Sequence, residues 1–387
     1  GNNLDLRLAE ARVREARARR GISQAGLFPA VDASGAAGRS KSSGETRSFY
    51  SLGLDAGWEL DFFGGTRRAV EAADATLAAS QEDLRDVLVT LTAEVAFNYL
   101  EARTLQARLT VAQGNLDIQQ QTLELIQARY QAGLSDELAL QEARASLEST
   151  RAQLPTLRTG LEEAKNRLAL LTGMIPGGVH EQLAEARPLP AIPPALAVGV
   201  PAETLRHRPD IRRAERNLAA QTALVGVATA DLYPKLRLTG SIGLEAINSA
   251  DLFDPASQFW RLGPGVSWNI FDAGAVRQNI EVQSALQEQS LLAYEAAVLT
   301  ALAEVENALT AYAEEQLRRQ GLQAAVEATR QSEFLAQHQY QAGLVDFTTV
   351  LIAQRALLNL EDQLAQSNGT GTANLIRRYK ALGGGWE

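Results

Sequence analysis

The chain has 387 residues, of which 45% are hydrophobic and 21% charged, and it carries a formal net charge of -9 and no cysteine. This composition predicts a folded protein with a large core, and it excludes disulfides, thiolate metal sites and cysteine nucleophiles. Because the acidic residues are spread along helical patterns rather than gathered in a tail, nucleic acid is not an expected partner.

The sequence of the first half of the chain predicts three helices and one β-hairpin, which follows the first helix. Apolar periodicity and the positions of proline and glycine give four elements: an opening helix at 4–27, a hairpin at about 30–61, a long helix at 65–131 and a return helix at 136–172. The long helix is a proline-free run that would reach roughly 100 Å. In the return helix, Pro155 predicts a local kink.

The segment at 173–209 separates the two halves of the chain. It holds seven of the 12 prolines, so it cannot be one helix. We expect an irregular belt packed on the outside of the protein, with a flexible linker as the alternative. Beyond it the order of elements repeats: a helix at 210–232, a hairpin at about 234–271, a long helix at 275–341 and a return helix at 346–382.

A tandem duplication explains this repeated order. The pentapeptide Tyr-Gln-Ala-Gly-Leu at 130–134 recurs unchanged at 340–344, and an aspartate follows in both copies, at Asp136 and Asp346. Matches at one nearly constant spacing along most of the chain are typical of an internal repeat. The second hairpin is longer than the first, and we place its extra residues in the loop near 248–257.

Each copy supplies two strands in which apolar and polar residues alternate, so the chain has four. No stretch reaches the roughly 20 apolar residues of a spanning helix, so a membrane crossing would have to use strands. A transmembrane barrel needs about eight or more strands and no open edge, so a crossing chain must be an oligomer. In this interpretation the apolar face meets lipid and the polar face a lumen. The alternative is a soluble sheet that covers a core.

Four aromatic side chains on these strands are predicted to lie at the lipid interfaces: Tyr50, Trp58, Trp260 and Trp268. Ordinary core packing is the alternative for them. The helices support the same assembly, since the opening and return helices of each copy together nearly match the long helix in length. Stacked end to end beside it, they would give four helical columns per chain, standing as a tube beneath a barrel.

At this point the sequence resembles the TolC-like outer-membrane factor family, in particular its NodT-type efflux lipoprotein branch. Besides the doubled pentapeptide, three stretches are similar: Arg-Pro-Asp-Ile-Arg-Arg-Ala-Glu at 208–215, Ala-Thr-Ala-Asp-Leu-Tyr-Pro-Lys-Leu-Arg-Leu at 228–238 and Tyr-Lys-Ala-Leu-Gly-Gly-Gly-Trp at 379–386. The resemblance implies a mainly helical fold with strands, which as a homotrimer forms a twelve-stranded β-barrel on a twelve-column helical barrel. The segment at 173–209 would form the belt around its equator.

The resemblance also implies a function. Such a chain would be the exit duct of a tripartite efflux system, placed in the outer membrane, extending into the periplasm and contacting outer-membrane lipid. Its partners would be a periplasmic adaptor and an inner-membrane pump, and no cofactor is expected. Many relatives carry a lipidated N-terminal cysteine, whereas this chain begins within a helical pattern, so we expect that a leader and the mature N-terminus were removed.

Two groups of candidate site residues follow from the resemblance. The turns between long and return helices are similar to adaptor-contact loops, at Gly133, Leu134, Gly343, Leu344 and Val345, although a glycine helix cap would explain the glycines equally well. The candidates for a gate are Asp136, Asp346, Thr348 and Ile352. Both aspartates are expected to be helix N-caps rather than acidic rings. Relatives commonly have aspartate where this chain has Ile352, so apolar packing is expected to close the constriction.

Other functional classes fit less well. A coiled-coil structural or adhesive oligomer is the main alternative, and a periplasmic adaptor is the second, although an adaptor would not repeat the whole unit. No arrangement of nucleophile, base and oxyanion site predicts an enzyme. The three histidines, His180, His207 and His338, show no spacing typical of a metal site.

Overall fold

A computed structural model describes residues 2–42, 44–190 and 205–384. In these residues six α-helices and four β-strands follow one another in the order α1 (Leu4–Ala25), β1 (Ala30–Ser42), β2 (Glu45–Leu60), α2 (Gly65–Gln131), α3 (Glu137–Leu171), α4 (Pro209–Ala230), β3 (Lys235–Ala246), β4 (Gln258–Ser267), α5 (Ala275–Gln341) and α6 (Phe347–Ala381). Short 3-10 turns occur at Glu181–Leu183, Ser249–Asp251 and Pro255–Ser257.

The elements form two compact units that do not coincide with the two sequence repeats. The first unit comprises Gly1–Leu8, Arg85–Arg208 and Leu299–Glu387, and the second comprises Ala9–Leu84 and Pro209–Val298. Each unit therefore takes segments from both repeats. The reason is that α2 and α5 are each 67 residues long and so contribute to both units.

In the first unit, α3 packs on α2 through aliphatic side chains. Leu154, Leu157 and Leu161 of α3 are buried together with Ala102 and Leu105 of α2. The helix runs unbroken through Pro155 rather than being interrupted there. Since the buried leucines flank the proline, their packing holds the helix where a backbone hydrogen bond is lost.

The equivalent helix of the second repeat, α6, packs at its start in an apolar cluster, but its later part is held largely by polar and small residues. Asp362 accepts two hydrogen bonds from the guanidinium of Arg108 on α2, at 2.7 and 3.0 Å. Its neighbour Glu361 accepts one from Arg330 on α5, at 2.7 Å. Further along, Gly369 lies so close to the side chain of Thr104 that a methyl group at the glycine would overlap it.

In each repeat a hydrogen bond joins the residue before the opening helix to the end of the return helix. Asn3, just before α1, donates from Nδ2 to the carbonyl of Leu171 at 2.9 Å. Arg208, just before α4, donates from Nη1 to the carbonyl of Ala381 at 2.8 Å. In the second repeat, Arg208 also forms an ion pair with Glu304, at 2.6 Å. In both copies the residue before the opening helix is thus bonded to the end of the return helix.

The described part of the segment between the repeats packs against helices of the first unit. Val179 and Leu183 are buried beside Val95 and Tyr99. The carbonyl of Leu183 also accepts a hydrogen bond from Gln106, at 2.6 Å. Val179 and Leu183 thus pack against the helices, while most other residues of 174–190 are exposed, and the belt stays a prediction. Residues 191–204, on which the rest of that prediction falls, lie outside the described residues.

In the second unit the four strands form one antiparallel sheet in the order β1-β2-β3-β4. The register places apolar residues of neighbouring strands opposite one another, as in the pairs Leu54 with Ile242 and Ile242 with Trp260. In the same unit, α1 and α4 both contact α2, since the carboxylate of Asp83 forms ion pairs with Arg12 at 3.7 Å and with Arg213 at 2.7 Å.

The last strand is shorter than predicted. It was expected to continue to 271, but β4 ends at Ser267, which pairs with Lys235. The residue before Lys235 is Pro234, which has no backbone N–H to extend the ladder. Trp268 therefore lies beyond the strand. The two hairpin loops also differ, since β1 and β2 are separated by residues 43–44, whereas β3 and β4 are separated by 247–257.

Candidate functional site: helix turns and sheet surfaces

The two turns after the long helices have the same backbone conformation. Gly133 and Gly343 have φ of 73° and 74°, in the left-handed region that favours glycine. Leu134 donates its N–H to the carbonyl of Arg129 at 2.8 Å, and Leu344 donates to Gln339 at 2.9 Å, which is a Schellman cap. The glycines thus do cap the helices, and the chain leaves Leu134 70% and Leu344 75% exposed.

The two aspartates after the turns differ. Asp136 caps α3, because its Oδ1 accepts a hydrogen bond from the N–H of Ala139 at 2.9 Å. Asp346 occupies the same position before α6 but makes no side-chain capping bond. The capping prediction is therefore right for Asp136, whereas Asp346 stands at the N-cap position without a side-chain capping bond. The first repeat has a glutamate after its aspartate, and the second has Phe347, which draws the start of α6 into an apolar cluster.

Phe347 anchors the second turn and was not identified from the sequence. It is buried with Ile126 and Val350, and its ring lies 5.5 Å from that of Tyr340. The guanidinium of Arg129 lies over the ring of Tyr340, 4.7 Å from its centre. Its importance could have been noticed from the sequence, because the second repeat has Phe347 where the first has Glu137.

The other gate candidates lie on the exposed side of α6. Thr348 is exposed and Ile352 is 64% exposed, whereas Val345 in the turn is half-buried. Thr348 and Ile352 are four residues apart and so share one helical face. In the single chain this face covers no core, which leaves it open to a further chain or to solvent.

One face of the sheet is apolar and exposed. Its bulky side chains include Leu54, Ile242, Trp260 and Leu262, which are between 50% and 76% exposed. No other described residue of the chain covers them, so within the described part the sheet is not the lid of a core. The soluble-sheet interpretation predicted burial of this face and is wrong for the chain as described.

Two of the predicted interface aromatics have a second role. Trp58 donates its indole N–H to the carbonyl of Leu27 at 3.0 Å, and Trp268 donates to that of Leu232 at 3.1 Å. Both carbonyls belong to the helix-to-strand passages, so each repeat fastens one end of its hairpin in the same way. Trp260 is exposed, and Tyr50 is half-buried.

The opposite face of the sheet is polar and rich in glycine. It carries ion pairs such as Arg261 with Glu245, at 3.5 Å. By register it also carries six glycines: Gly38, Gly53, Gly57, Gly243, Gly263 and Gly265. Small residues on one face and bulky residues on the other favour curvature of a sheet toward the face with the small ones.

An aspartate follows each hairpin and binds the start of the next long helix. Asp61 accepts hydrogen bonds from the N–H groups of Thr66 and Arg67, at 3.1 and 2.8 Å, and Asp272 accepts from those of Gly274 and Val276, both at 2.8 Å. Burial raises the pKa of Asp61, but the bonds from Arg67 and Thr66 outweigh it and lower the pKa below its ordinary value. The bond from Val276, then that from Gly274, lowers the pKa of Asp272.

In the described part of the chain, no helix combines the length and apolarity needed to span a bilayer. The same residues contain no group of three or more histidine, aspartate or glutamate side chains arranged to hold a metal ion.

The chain matches the family described as outer membrane efflux protein over residues 1–174 and 200–384. This chain belongs to that family. It is 37% identical to the pyoverdine export outer membrane protein OpmQ of Pseudomonas putida, over 100% of this chain and 84% of that protein. It is 33% identical to the cation efflux system protein CusC of Escherichia coli O6:H1, with the same coverage. The solved outer-membrane channel OprN superposes with a TM-score of 0.95 at 40% identity, covering 99% of this chain and 88% of that one.

Membership of the family gives the fold, the location and the activity. The fold is that of the TolC-like outer-membrane factors, as the resemblance predicted. The protein is an outer-membrane channel that extends into the periplasm and serves as the exit component of a tripartite efflux system. The adhesive oligomer and the adaptor are thereby excluded as its class, and the relatives are channels rather than enzymes.

Proposed function

We propose that three copies of this chain form one channel, in which each copy supplies four of twelve strands and four of twelve helical columns. The observation that carries this proposal is the pair of open sheet edges. Within the described residues, β1 and β4 each have a partner strand on one side only. Such edges are liable to further pairing, and joining β4 of one copy to β1 of the next closes the sheet without a free edge.

The surfaces of the sheet support the same assembly. In a closed barrel the exposed apolar face would meet lipid, and the polar face would line the passage. The glycines of the polar face suit the inner side of the curve, where side chains are most crowded. Apolar residues facing lipid and polar residues facing a channel are typical of transmembrane barrels.

The size and conductance of the purified protein test this assembly. In detergent we expect a complex with three times the mass of the chain by light scattering, and stepwise current when it is added to planar bilayers. A detergent-solubilised monomer would contradict the trimer. A trimer that stays monodisperse without detergent would contradict the membrane channel.

Two matched substitutions test which face meets lipid. Arginine at Leu262, on the apolar face, would be placed against hydrocarbon, where it costs about 2–4 kcal/mol near the bilayer centre. Arginine at Thr239, on the polar face, would point into water. We therefore expect Leu262→Arg to reduce the yield of membrane-inserted trimer strongly and Thr239→Arg to reduce it little. The reverse order would contradict the assignment of the faces.

The turns are proposed as the contact with the periplasmic adaptor, which in turn binds the inner-membrane pump. The exposed Leu134 and Leu344, beside Gly133 and Gly343, offer apolar side chains on rigid caps, and Val345 adjoins them. Replacing both leucines with alanine should weaken binding to the cognate adaptor while leaving the trimer intact. An adaptor affinity equal to that of the unmodified trimer would remove the turns from the interface.

The start of α6 is proposed as the gate of the channel. Thr348 and Ile352 form an uncovered face there, so in a trimer three such faces could pack against one another and narrow the passage. We expect Thr348→Ala combined with Ile352→Ala to raise single-channel conductance. Unchanged conductance would contradict this gate.

The two aspartates should contribute unequally to ion selectivity at the gate. The carboxylate of Asp136 is engaged in capping α3, whereas that of Asp346 makes no cap. Asp346→Asn should therefore lower the preference for cations over anions, measured as a reversal potential in a salt gradient. Asp136→Asn serves as the matched comparison, and an equal effect of both changes would contradict the unequal roles.

A further inference from the structure

Two phenylalanines stand on the polar face of the sheet. By register, Phe49 of β2 and Phe259 of β4 share this face with the ion pair of Arg261 and Glu245. Alternation alone would place polar residues at both positions, and the apolar face is available on the same strands. Each ring is therefore an apolar side chain on the otherwise polar face of the sheet.

Each ring lies over a glycine of the adjacent strand. Phe49 is paired with Gly38, and a methyl group on that glycine would meet the ring atoms Cε1 and Cζ at 2.5 Å. Phe259 is paired with Gly243, where a methyl group would meet the backbone of Leu52 and Gly53 at 2.5 and 2.8 Å as well as Cε1 of the ring at 3.0 Å. The ring also reaches to 3.8 Å from a methyl group on Gly53. A ring can lie against the sheet in this way only where no side chain occupies the floor beneath it.

The ring of Phe259 is also covered from one side by a cation. The guanidinium carbon of Arg261 lies 4.9 Å from the ring centre, and the same arginine pairs with Glu245. Phe49, by contrast, is 44% exposed. Aromatic faces attract cations and the apolar parts of organic molecules, so both rings offer contacts that the rest of this face lacks.

We propose that Phe49 and Phe259 form contact points for cargo that carries an aromatic ring inside the exit passage. The glycines beneath them hold the rings against the wall, so that these contacts do not narrow the passage. This inference rests on the proposed trimeric channel, in which the polar face lines the passage. A purely structural role, in which each ring covers a glycine and fixes the strand register, predicts changes in stability without changes in cargo contact.

The first experiment measures contact with a small aromatic cation. Saturation transfer from the trimer, reconstituted in nanodiscs, to the ring protons of benzyltrimethylammonium should be clear for the unmodified protein. It should be largely lost in the Phe49→Ala, Phe259→Ala double variant. Tetramethylammonium, which lacks the ring, should show little transfer with either protein. Equal transfer to benzyltrimethylammonium by both proteins would overturn the proposal.

Should the alanine variant not assemble, the pair Phe49→Gln and Phe259→Gln keeps comparable bulk over the glycines while removing the apolar ring. Loss of saturation transfer in this assembled variant supports the proposal, and retention overturns it. Unmodified protein that forms neither a trimer nor a conducting channel would instead refute the proposed function. The two failures are therefore distinguishable.

The second experiment tests the glycine floor. Gly38→Ala should lift the Phe49 ring into the passage and lower single-channel conductance. Gly263→Ala is the matched control, because its methyl group would meet nothing within 4 Å on the same face. Adding Phe49→Ala to Gly38→Ala should restore the conductance. If the Gly38→Ala and Gly263→Ala channels have the same conductance, the proposal that the glycines keep the rings out of the passage is overturned.

Discussion

The return helices α3 and α6 occupy the same place in the two repeats and are both 35 residues long, yet beyond their shared apolar start different contacts hold them. Buried leucines hold α3 against α2. The corresponding stretch of α6 buries Ser367, Gly369 and Asn374 and relies on charged hydrogen bonds. After duplication, the geometry of the helix has been kept while the chemistry of its contacts has changed. Apolar burial tolerates small shifts, whereas hydrogen bonds and close glycine contacts require one register.

The largest effect should come from the apolar side of this comparison. Leu154→Ala removes a buried side chain from the contact between α2 and α3 and should destabilise the protein by about 2–5 kcal/mol. The matched residue of α6 is Leu364, which is only half-buried, so Leu364→Ala should cost clearly less. Urea unfolding followed by helical circular dichroism measures both. Equal costs would mean that the two helices depend on leucine burial to the same extent.

Opposite signs are expected for the glycines of the two return helices. A methyl group at Gly369 would overlap Thr104, so Gly369→Ala should destabilise by about 1–3 kcal/mol. At Gly160 of α3 the nearest atom would be Cδ1 of Leu105 at 3.4 Å, an ordinary contact. Gly160→Ala should therefore stabilise the helix by about 0.5–1 kcal/mol. If both substitutions changed the free energy of unfolding in the same direction, the close contact on α6 would be contradicted.

The ion pair of α6 should make it the salt-sensitive helix. Asp362→Asn weakens the half-buried pair of hydrogen bonds with Arg108. It should lower the free energy of unfolding by about 1 kcal/mol at low salt and by less at high salt. On α3, Glu148 pairs with Arg151 in an exposed position, so Glu148→Gln should cost almost nothing. Unfolding in low and high sodium chloride checks this difference, and a salt-independent cost for Asp362→Asn would contradict it.

The smallest effect concerns the aspartates before the long helices, where the repeats should behave alike. The folded pKa of Asp61 and that of Asp272 lie below the ordinary value. Their contribution to stability is therefore complete above the unfolded pKa of about 3.9 and disappears as the pH falls through the folded value. Asp61→Asn and Asp272→Asn should each flatten the acid side of a stability–pH curve. If either change leaves that slope unaltered, that aspartate does not contribute as described.

Much of the secondary structure could be predicted because its causes are local. The long helices follow from apolar periodicity without proline, and the turns follow from glycines that must adopt a positive φ. The apolar face of the sheet follows from alternation. These features depend on residues near one another in the chain, so no knowledge of spatial neighbours was needed.

The contacts that distinguish the repeats could not be predicted in the same way. Asp346 looks like a helix cap by its position, but burial of Phe347 against Ile126, which is remote in sequence, sets the start of α6. The contact of Gly369 with Thr104 and the pair of Arg208 with Glu304 depend on which helices become neighbours. The end of β4 was overestimated because Trp268 continues the alternation, while its indole bonds to a helix-to-strand passage instead.

The bonds from Asn3 to Leu171 and from Arg208 to Ala381 have a topological consequence. In each repeat the residue before the opening helix is bonded to the last turn of the return helix, so these two ends of the repeat adjoin. The two repeats should therefore be separable genetically: a chain divided within 191–204 and produced as two polypeptides should still bring each pair of helix ends together.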